Sequence, residues 1–103
     1  MIFVIAQSEL KPGYKDKFIE AVKDNLPLVR AEAGCISYTL TDDYDSGLSA
    51  QQKSGENTVT FVECWESMEH LKQDLQAPHM NVFREKVRDM RCGSSLKVLT
   101  PVC

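Results

Sequence analysis

One histidine in this chain stands where a titratable side chain could do chemistry. His79 follows Pro78 at the expected start of a helix, four residues before Phe83, so both lie on one apolar stripe. Imidazole is the side chain whose ordinary pKa puts its change of charge near neutral pH. His79 is therefore the candidate base, able to accept a proton from a molecule held beside this helix.

The strand expected before this helix supplies a candidate pocket wall. Phe61, Glu63 and Trp65 alternate along one face of that strand, which the pattern predicts over Val59–Glu66. Aromatic side chains offer flat surfaces to an aromatic ring. Glu63 is a carboxylate on a largely apolar face, and an isolated buried charge is costly. We therefore expect Glu63 either to pair with a base at the sheet edge or to line a pocket.

Two polar side chains on other strands complete the candidate site. Gln7 lies late in a strand that is apolar on both faces, so its amide needs a hydrogen-bond partner, a ligand or water. It could donate to a substrate oxygen, and Tyr38 on a second strand could add a flat wall. Ordinary structural roles stay open beside these, because an inward His or Trp is often a core residue and a strand Gln is often paired within the protein.

The elements that must position these side chains follow the order strand, helix, strand, strand, helix, strand. Apolar periodicity predicts strands over Ile2–Glu9, Cys35–Asp42, Val59–Glu66 and Leu96–Val102, and helices over Tyr14–Glu32, after the cap Ser67, and from Pro78 to Gly93. Right-handed connections place the helices on one face of a four-stranded antiparallel sheet. The fold class is therefore α+β, with a ferredoxin-like βαββαβ order. We expect one domain over residues 1–103, with a long polar connection over 43–57.

The two strands expected at the centre are apolar on both faces, although helices can cover only one. In the first strand, Phe3 and Ile5 share one face, whereas Ile2, Val4 and Ala6 share the other. Something must cover the second face, and a second copy of the chain is the simplest cover. The sequence therefore predicts an isologous homodimer.

Composition excludes several classes of function. The chain has 12 basic and 15 acidic residues and a net charge of −3, which argues against nucleic-acid binding. The basic residues between Arg84 and Arg91 are interleaved with acids, as on a solvated helix face. No apolar run approaches a membrane span and no secretory signal pattern occurs, so we expect a cytoplasmic protein without membrane contact. None of the four cysteines forms a Cys-x-x-Cys pair, so we expect free thiols and no metal site.

Several short motifs occur in order along the chain. They are Gln7 near the end of strand one, Lys11-Pro12-Gly13, Ala33-Gly34-Cys35 with Tyr38, the run from Phe61 to Ser67, and Pro78-His79-Met80 with Phe83. This pattern resembles the antibiotic biosynthesis monooxygenase domain and is closest to its quinol monooxygenase members. The resemblance implies a dimeric α+β barrel. The family includes cofactor-free quinol and polyketide monooxygenases, haem-degrading oxygenases and an isomerase of a phosphorylated sugar.

The resemblance can be carried over at single positions. Trp65 with the two residues after it looks like the Trp-Glu-Ser of the cofactor-free monooxygenases, and Pro78-His79 looks like the Pro-His of the quinol monooxygenase and isomerase members. Those members often have a further His where this chain has Asp74, and the polyketide enzymes have a Tyr where it has Leu71.

The haem-degrading members are a poorer match. Their Asn, Trp and His fall at Gln7, Asp74 and Arg84 in this chain. The resemblance therefore implies chemistry without haem, and without any other cofactor.

Three functions remain open. The first is a cofactor-independent monooxygenase that oxidises a small quinol-like aromatic in an apolar pocket, with His79 as the base. The second is an isomerase or lyase that uses His79 for proton transfer on a small carbonyl compound, and the third is a non-enzymatic dimeric module that binds a small ligand or only another protein. A wide apolar pocket favours the first, a smaller pocket with several basic groups favours the second, and no cavity beside His79 favours the third.

Overall fold

The computed structural model describes residues 1–103 as four strands, three α-helices and one 3₁₀ turn. The strands are β1 (Ile2–Leu10), β2 (Cys35–Thr41), β3 (Thr58–Trp65) and β4 (Arg91–Leu99); the helices are α1 (Lys15–Arg30), α2 (Met68–Gln76) and α3 (Pro78–Val87), followed by the turn Arg88–Met90. The strands pair antiparallel in the order β2-β3-β1-β4. This is the predicted ferredoxin-like arrangement, with its second helical segment divided into α2 and α3.

Local sequence explains where the helices begin and end. The Ser67 hydroxyl accepts a hydrogen bond from the backbone N–H of His70 at 3.3 Å and so caps α2. Ala77 is extended and Pro78 occupies the first turn of α3, which separates the two helices. At the end of α1 the chain turns through Gly34, whose φ of +82° favours glycine.

The last strand differs from its predicted bounds. The sequence predicted a helix that ends at Gly93 and a strand over Leu96–Val102, but β4 begins at Arg91 and pairs Gly93 with Glu9 of β1. The strand lies at the edge of the sheet and most of its side chains are exposed, so their polarity does not alternate. Backbone pairing with β1, rather than burial, therefore decides where this strand starts.

The hydrophobic core lies between the sheet and the helices. Its buried residues are Val4, Leu10, Phe18, Ala21, Val22, Val29, Tyr38, Val59, Phe61, Trp65, Leu71, Met80, Phe83 and Val87. Phe18 of α1 makes edge-to-face contacts with Phe61 and Phe83, at ring-centroid distances of 6.3 and 6.0 Å. These aromatic contacts join both helical segments to β3.

The other face of the sheet has no helix over it. Phe3, Val62 and Leu99 are exposed there, and Ile5 is half-buried. The predicted imbalance between a covered and an uncovered apolar face is thus present in the single chain. None of the helices has the length and apolar character needed to cross a membrane.

Candidate functional site

A pocket of about 420 Å³ lies between the sheet and helices α2 and α3. Its apolar wall comprises Val4, Ala6, Tyr38, Phe61, Leu71, Leu75, Met80, Phe83 and Leu96. Its polar lining comprises Gln7, Ser8, Glu63, Asp74, Arg84, Arg91, Ser94 and Ser95. The volume is within the range of pockets that hold small organic ligands. Tyr38 and Phe61, two of the predicted wall residues, face each other at 5.5 Å between ring centroids.

Gln7 is among the lining residues, but its amide is held elsewhere. It alternates along β1 with Ala6 and Ser8, so its side chain leaves the sheet on the side away from the helices. There its Nε2 donates to Ser54 Oγ at 3.1 Å, and its Oε1 accepts from Ser95 at 3.5 Å. These bonds give the amide the partners that its burial requires.

Trp65 and Glu63 form a buried pair on β3. Glu63 lines the pocket, whereas Trp65 is fully buried and is not part of the lining. The indole Nε1 donates to Glu63 Oε1 at 2.9 Å. Burial raises the pKa of the Glu63 carboxyl, and the hydrogen bond from Trp65 opposes that rise. Trp65 therefore does not reach the pocket, but its hydrogen bond orients the Glu63 carboxyl that does.

His79 does not line the pocket. The buried residues of α3 are Met80, Phe83 and Val87, so Phe83 and Val87 of the predicted stripe are in the core, whereas His79 is only half-buried. Because α3 packs against α1, its first turn directs the imidazole towards that helix. Nδ1 lies 3.1 Å from Asn25 Oδ1, and Nε2 is bonded to the Glu32 carboxylate.

Asp74 connects this histidine to the pocket. Its side chain is 1% exposed, lines the pocket from α2, and has one oxygen, Oδ1, with no hydrogen-bond partner. One carboxylate oxygen each of Glu32 and Asp74 and one ring nitrogen of His79 lie within 4.8 Å of one another. Burial, followed by the neighbouring Glu32 carboxyl, raises the pKa of Asp74 to about 8. The structure thus has a continuous row of side chains from the pocket through Asp74 and Glu32 to His79.

Two carboxylates and an imidazole can also bind a divalent metal ion. In this cluster, however, both ring nitrogens of His79 already have protein partners, Asn25 and Glu32. The arrangement suits proton transfer between Glu32 and His79, whereas a metal ion would replace that hydrogen bond and leave Nδ1 on Asn25.

Two arginines also line the pocket. The guanidinium of Arg91 lies over the rings of Phe18 and Phe83, at 5.4 and 5.9 Å from their centroids. Its Nε is buried and has no hydrogen-bond partner. Arg84 donates through Nη2 to Leu75 O and to Asn81 Oδ1, each at 2.7 Å. The expected solvated helix face therefore does not include Arg91, which belongs to β4 and faces the core.

Comparison with known proteins agrees with the fold and the motifs. The sequence profile of the antibiotic biosynthesis monooxygenase family matches residues 1–86. Over 103 residues the chain is 31% identical to "Probable quinol monooxygenase YgiN" of Escherichia coli K12, with 98% of each chain covered. Among solved structures, Rv0793 from Mycobacterium tuberculosis has a TM-score of 0.81 at 22% identity, over 99% of this chain and 95% of its own. PA3566 from Pseudomonas aeruginosa has the same TM-score at 19% identity, over 99% and 94%. The chain belongs to the antibiotic biosynthesis monooxygenase family.

Proposed function

We propose that this protein is a cofactor-independent monooxygenase that oxidises a small quinol-like aromatic in the pocket below α2 and α3. The observation that carries the proposal is the buried carboxyl of Asp74 on the wall of a largely apolar pocket, with one oxygen free of protein partners. The similarity to a relative named as a quinol monooxygenase supports the substrate class. The apolar walls favour an aromatic ring over a small polar carbonyl compound.

Asp74 is placed to start the reaction as a base. With a pKa near 8, its carboxyl is partly ionised near neutral pH, and the ionised form that acts as the base increases as the pH rises towards 8. Its unpartnered Oδ1 accepts the proton of a substrate hydroxyl. Tyr38 remains a hydrogen-bond donor in the pocket, because burial raises the pKa of its phenol. It can donate to negative charge that develops on the substrate oxygen.

His79, the predicted base, acts in this scheme through Glu32. The imidazole bonds to Glu32 on one side and to Asn25 on the other, which fixes its orientation. It also lines a groove on the outer surface between α1 and α3, together with Val82. A proton taken up by Asp74 can therefore be shared with Glu32 and His79, and it returns through Asp74 to the departing hydroxide when water is lost.

The oxidation balances without an external reductant. The deprotonated ring gives an electron to dioxygen, and a C–O bond then forms at the activated carbon to give a hydroperoxide. Loss of water leaves a new carbonyl, so that SH₂ + O₂ gives S=O + H₂O. The substrate loses one O–H and one ring C–H hydrogen to the water formed, and it supplies all four electrons that reduce dioxygen to that water and to the new carbonyl oxygen. The pocket needs only to hold the ring, remove the proton and exclude bulk water.

Oxygen consumption with reduced menadione tests the proposal. The wild type should exceed the uncatalysed rate, and Asp74→Asn should lower kcat by about 10²-fold or more. His79→Ala should cause a smaller loss of about tenfold, because Asp74 still accepts the first proton. Asp89→Asn is the matched control, since that carboxylate is 90% exposed and far along the chain from the pocket residues of α2. Labelled ¹⁸O₂ should place one heavy oxygen in the product.

Two results would contradict the proposal. A wild-type rate equal to the uncatalysed background over a panel of quinols would show that the protein does not oxidise quinols. Equal rates for the wild type and Asp74→Asn would keep the activity but exclude Asp74 as its base.

A further inference from the structure

Two buried side-chain atoms in this protein have no hydrogen-bond partner, and both belong to the wall of the same pocket. They are Asp74 Oδ1, an acceptor, and Arg91 Nε, a donor. Buried polar atoms in folded proteins are nearly always paired. A ligand that pairs with both atoms would therefore carry a hydroxyl that donates to Asp74 and an acceptor group for Arg91.

Arg91 lacks a counter-ion as well as a hydrogen-bond partner. It forms no salt bridge, and the pocket's carboxyls are engaged elsewhere, Glu63 with Trp65 and Asp74 beside Glu32. A second cation, Arg84, lines the same pocket. The rings of Phe18 and Phe83 hold the Arg91 guanidinium in place but cannot neutralise it. A negative group on the ligand would provide the missing charge.

The donors that are free limit the chemistry of that negative group. Arg84 is tied through Nη2 to Leu75 O and Asn81 Oδ1, whereas the Nε of Arg91 has no hydrogen-bond partner in the protein. One guanidinium edge matches the two oxygens of a planar carboxylate.

We propose that Arg91 binds a carboxylate on the substrate, so that the pocket selects a hydroxylated aromatic acid over a neutral quinol. The proposal deepens the function proposed above and rests on it for the identity of the reacting ring. In this arrangement Asp74 Oδ1 receives the hydroxyl and Arg91 receives the carboxylate. Both unpaired atoms then gain partners from a single ligand.

Calorimetric titration without turnover tests the carboxylate site. The full chain is titrated with 1-hydroxy-2-naphthoate and with 1-naphthol, which lacks the carboxylate. The wild type should bind the acid about tenfold more tightly or better, as expected for a charge-assisted pair. Arg91→Gln should bring the ratio of the two dissociation constants close to one, and Arg91→Lys should keep part of it. Arg88→Gln, which alters an exposed neighbour paired with Glu85, should keep the full preference.

The two proposals can fail separately. Equal affinity of the wild type for both compounds, absence of binding of the acid, or a preference that survives in Arg91→Gln would overturn the role of Arg91. Thermal melting of each variant shows whether a lost preference reflects unfolding. Because these titrations need no oxidation, a negative oxygen-consumption assay leaves their result intact. Equal kcat/KM for neutral and carboxylated quinols would overturn the carboxylate site alone.

Discussion

Asp74 affects stability as well as the proposed chemistry, because its carboxyl is buried beside other acids. Burial is the largest cause of its raised pKa, and the neighbouring Glu32 and Glu63 add to it. The folded protein therefore keeps a proton on this group up to about pH 8, whereas the unfolded chain releases it near pH 4. Between these values the folded state binds more protons, so the free energy of unfolding falls as pH rises and levels off above about pH 8.

Asp74→Asn should remove this pH dependence. The variant keeps the shape of the side chain but cannot ionise, so it should gain stability relative to the wild type as pH rises. Between pH 5 and pH 9 the stability of the variant relative to the wild type should change by on the order of 2 kcal/mol, less than the whole pKa shift would give, because neighbouring groups relax when Asp74 ionises. Urea denaturation at both pH values measures it. Asp89→Asn should follow the wild-type curve, and parallel curves for the wild type and Asp74→Asn would show that Asp74 is ionised in the folded protein.

Single residues also show what the sequence could and could not reveal. Phe61, Tyr38 and Glu63 were found from alternation along strands, which fixes the face of a side chain without knowledge of its neighbours. Helix periodicity could have identified Asp74, because it lies three residues after Leu71 on the buried side of α2. Arg91 could not be found, because its burial depends on where an edge strand begins.

At the scale of elements, helix periodicity located the helices and the face of α3 that carries Phe83 and Val87, but not which residue of its first turn is buried. A shift of one residue about the helix axis moves a side chain by about 100°, and the sequence contains both His79 and Met80 as possible core residues at the start of α3. Packing of α3 against two neighbours, α1 and α2, selected Met80. The histidine then faces Glu32 at the end of α1, a contact between residues far apart in the chain.

The turn between α1 and β2 fixes the start of α2 through a close approach. A Cβ on Gly34 would overlap the ring of His70, whose Nδ1 lies 2.7 Å from the capping Ser67 hydroxyl. Gly34 O also accepts from the backbone of Glu66 at 2.8 Å. Gly34 thus joins the end of the first helical segment to the cap of the second.

Gly34→Ala should therefore destabilise the fold more than a change at a comparable but open turn. Gly13 is the matched control, because its φ of +87° is similar and a Cβ there would meet nothing within 4 Å. Gly13→Ala should cost about 1 kcal/mol from backbone strain, whereas Gly34→Ala should cost about 3 kcal/mol once the displaced His70 is included. Chemical denaturation of both variants gives the difference. Similar losses at the two glycines would show that α2 moves away without resistance.

At the scale of the whole molecule, the sheet has one face buried under helices and one face that still carries apolar side chains. Phe3, Ile5 and Val62 lie together there, since β1 pairs Phe3 with Cys64 and Ile5 with Val62 of β3. The pocket lies on the opposite, helical side. Association through the open face would thus bury apolar surface without closing the pocket, which agrees with the homodimer that the sequence predicts.

Val62→Glu should convert the predicted dimer to a monomer. In a two-fold interface each substitution appears twice, so two carboxylates would be placed near one another on surface that must lose its water. Val82→Glu is the matched control, because Val82 is 68% exposed on the helical side while Val62 is 40% exposed on the open face. Light scattering after gel filtration should give the mass of two chains for the wild type and Val82→Glu, and of one chain for Val62→Glu. A wild type that runs as a single chain at micromolar concentration would show that the apolar face is stable in water and that the dimer does not form.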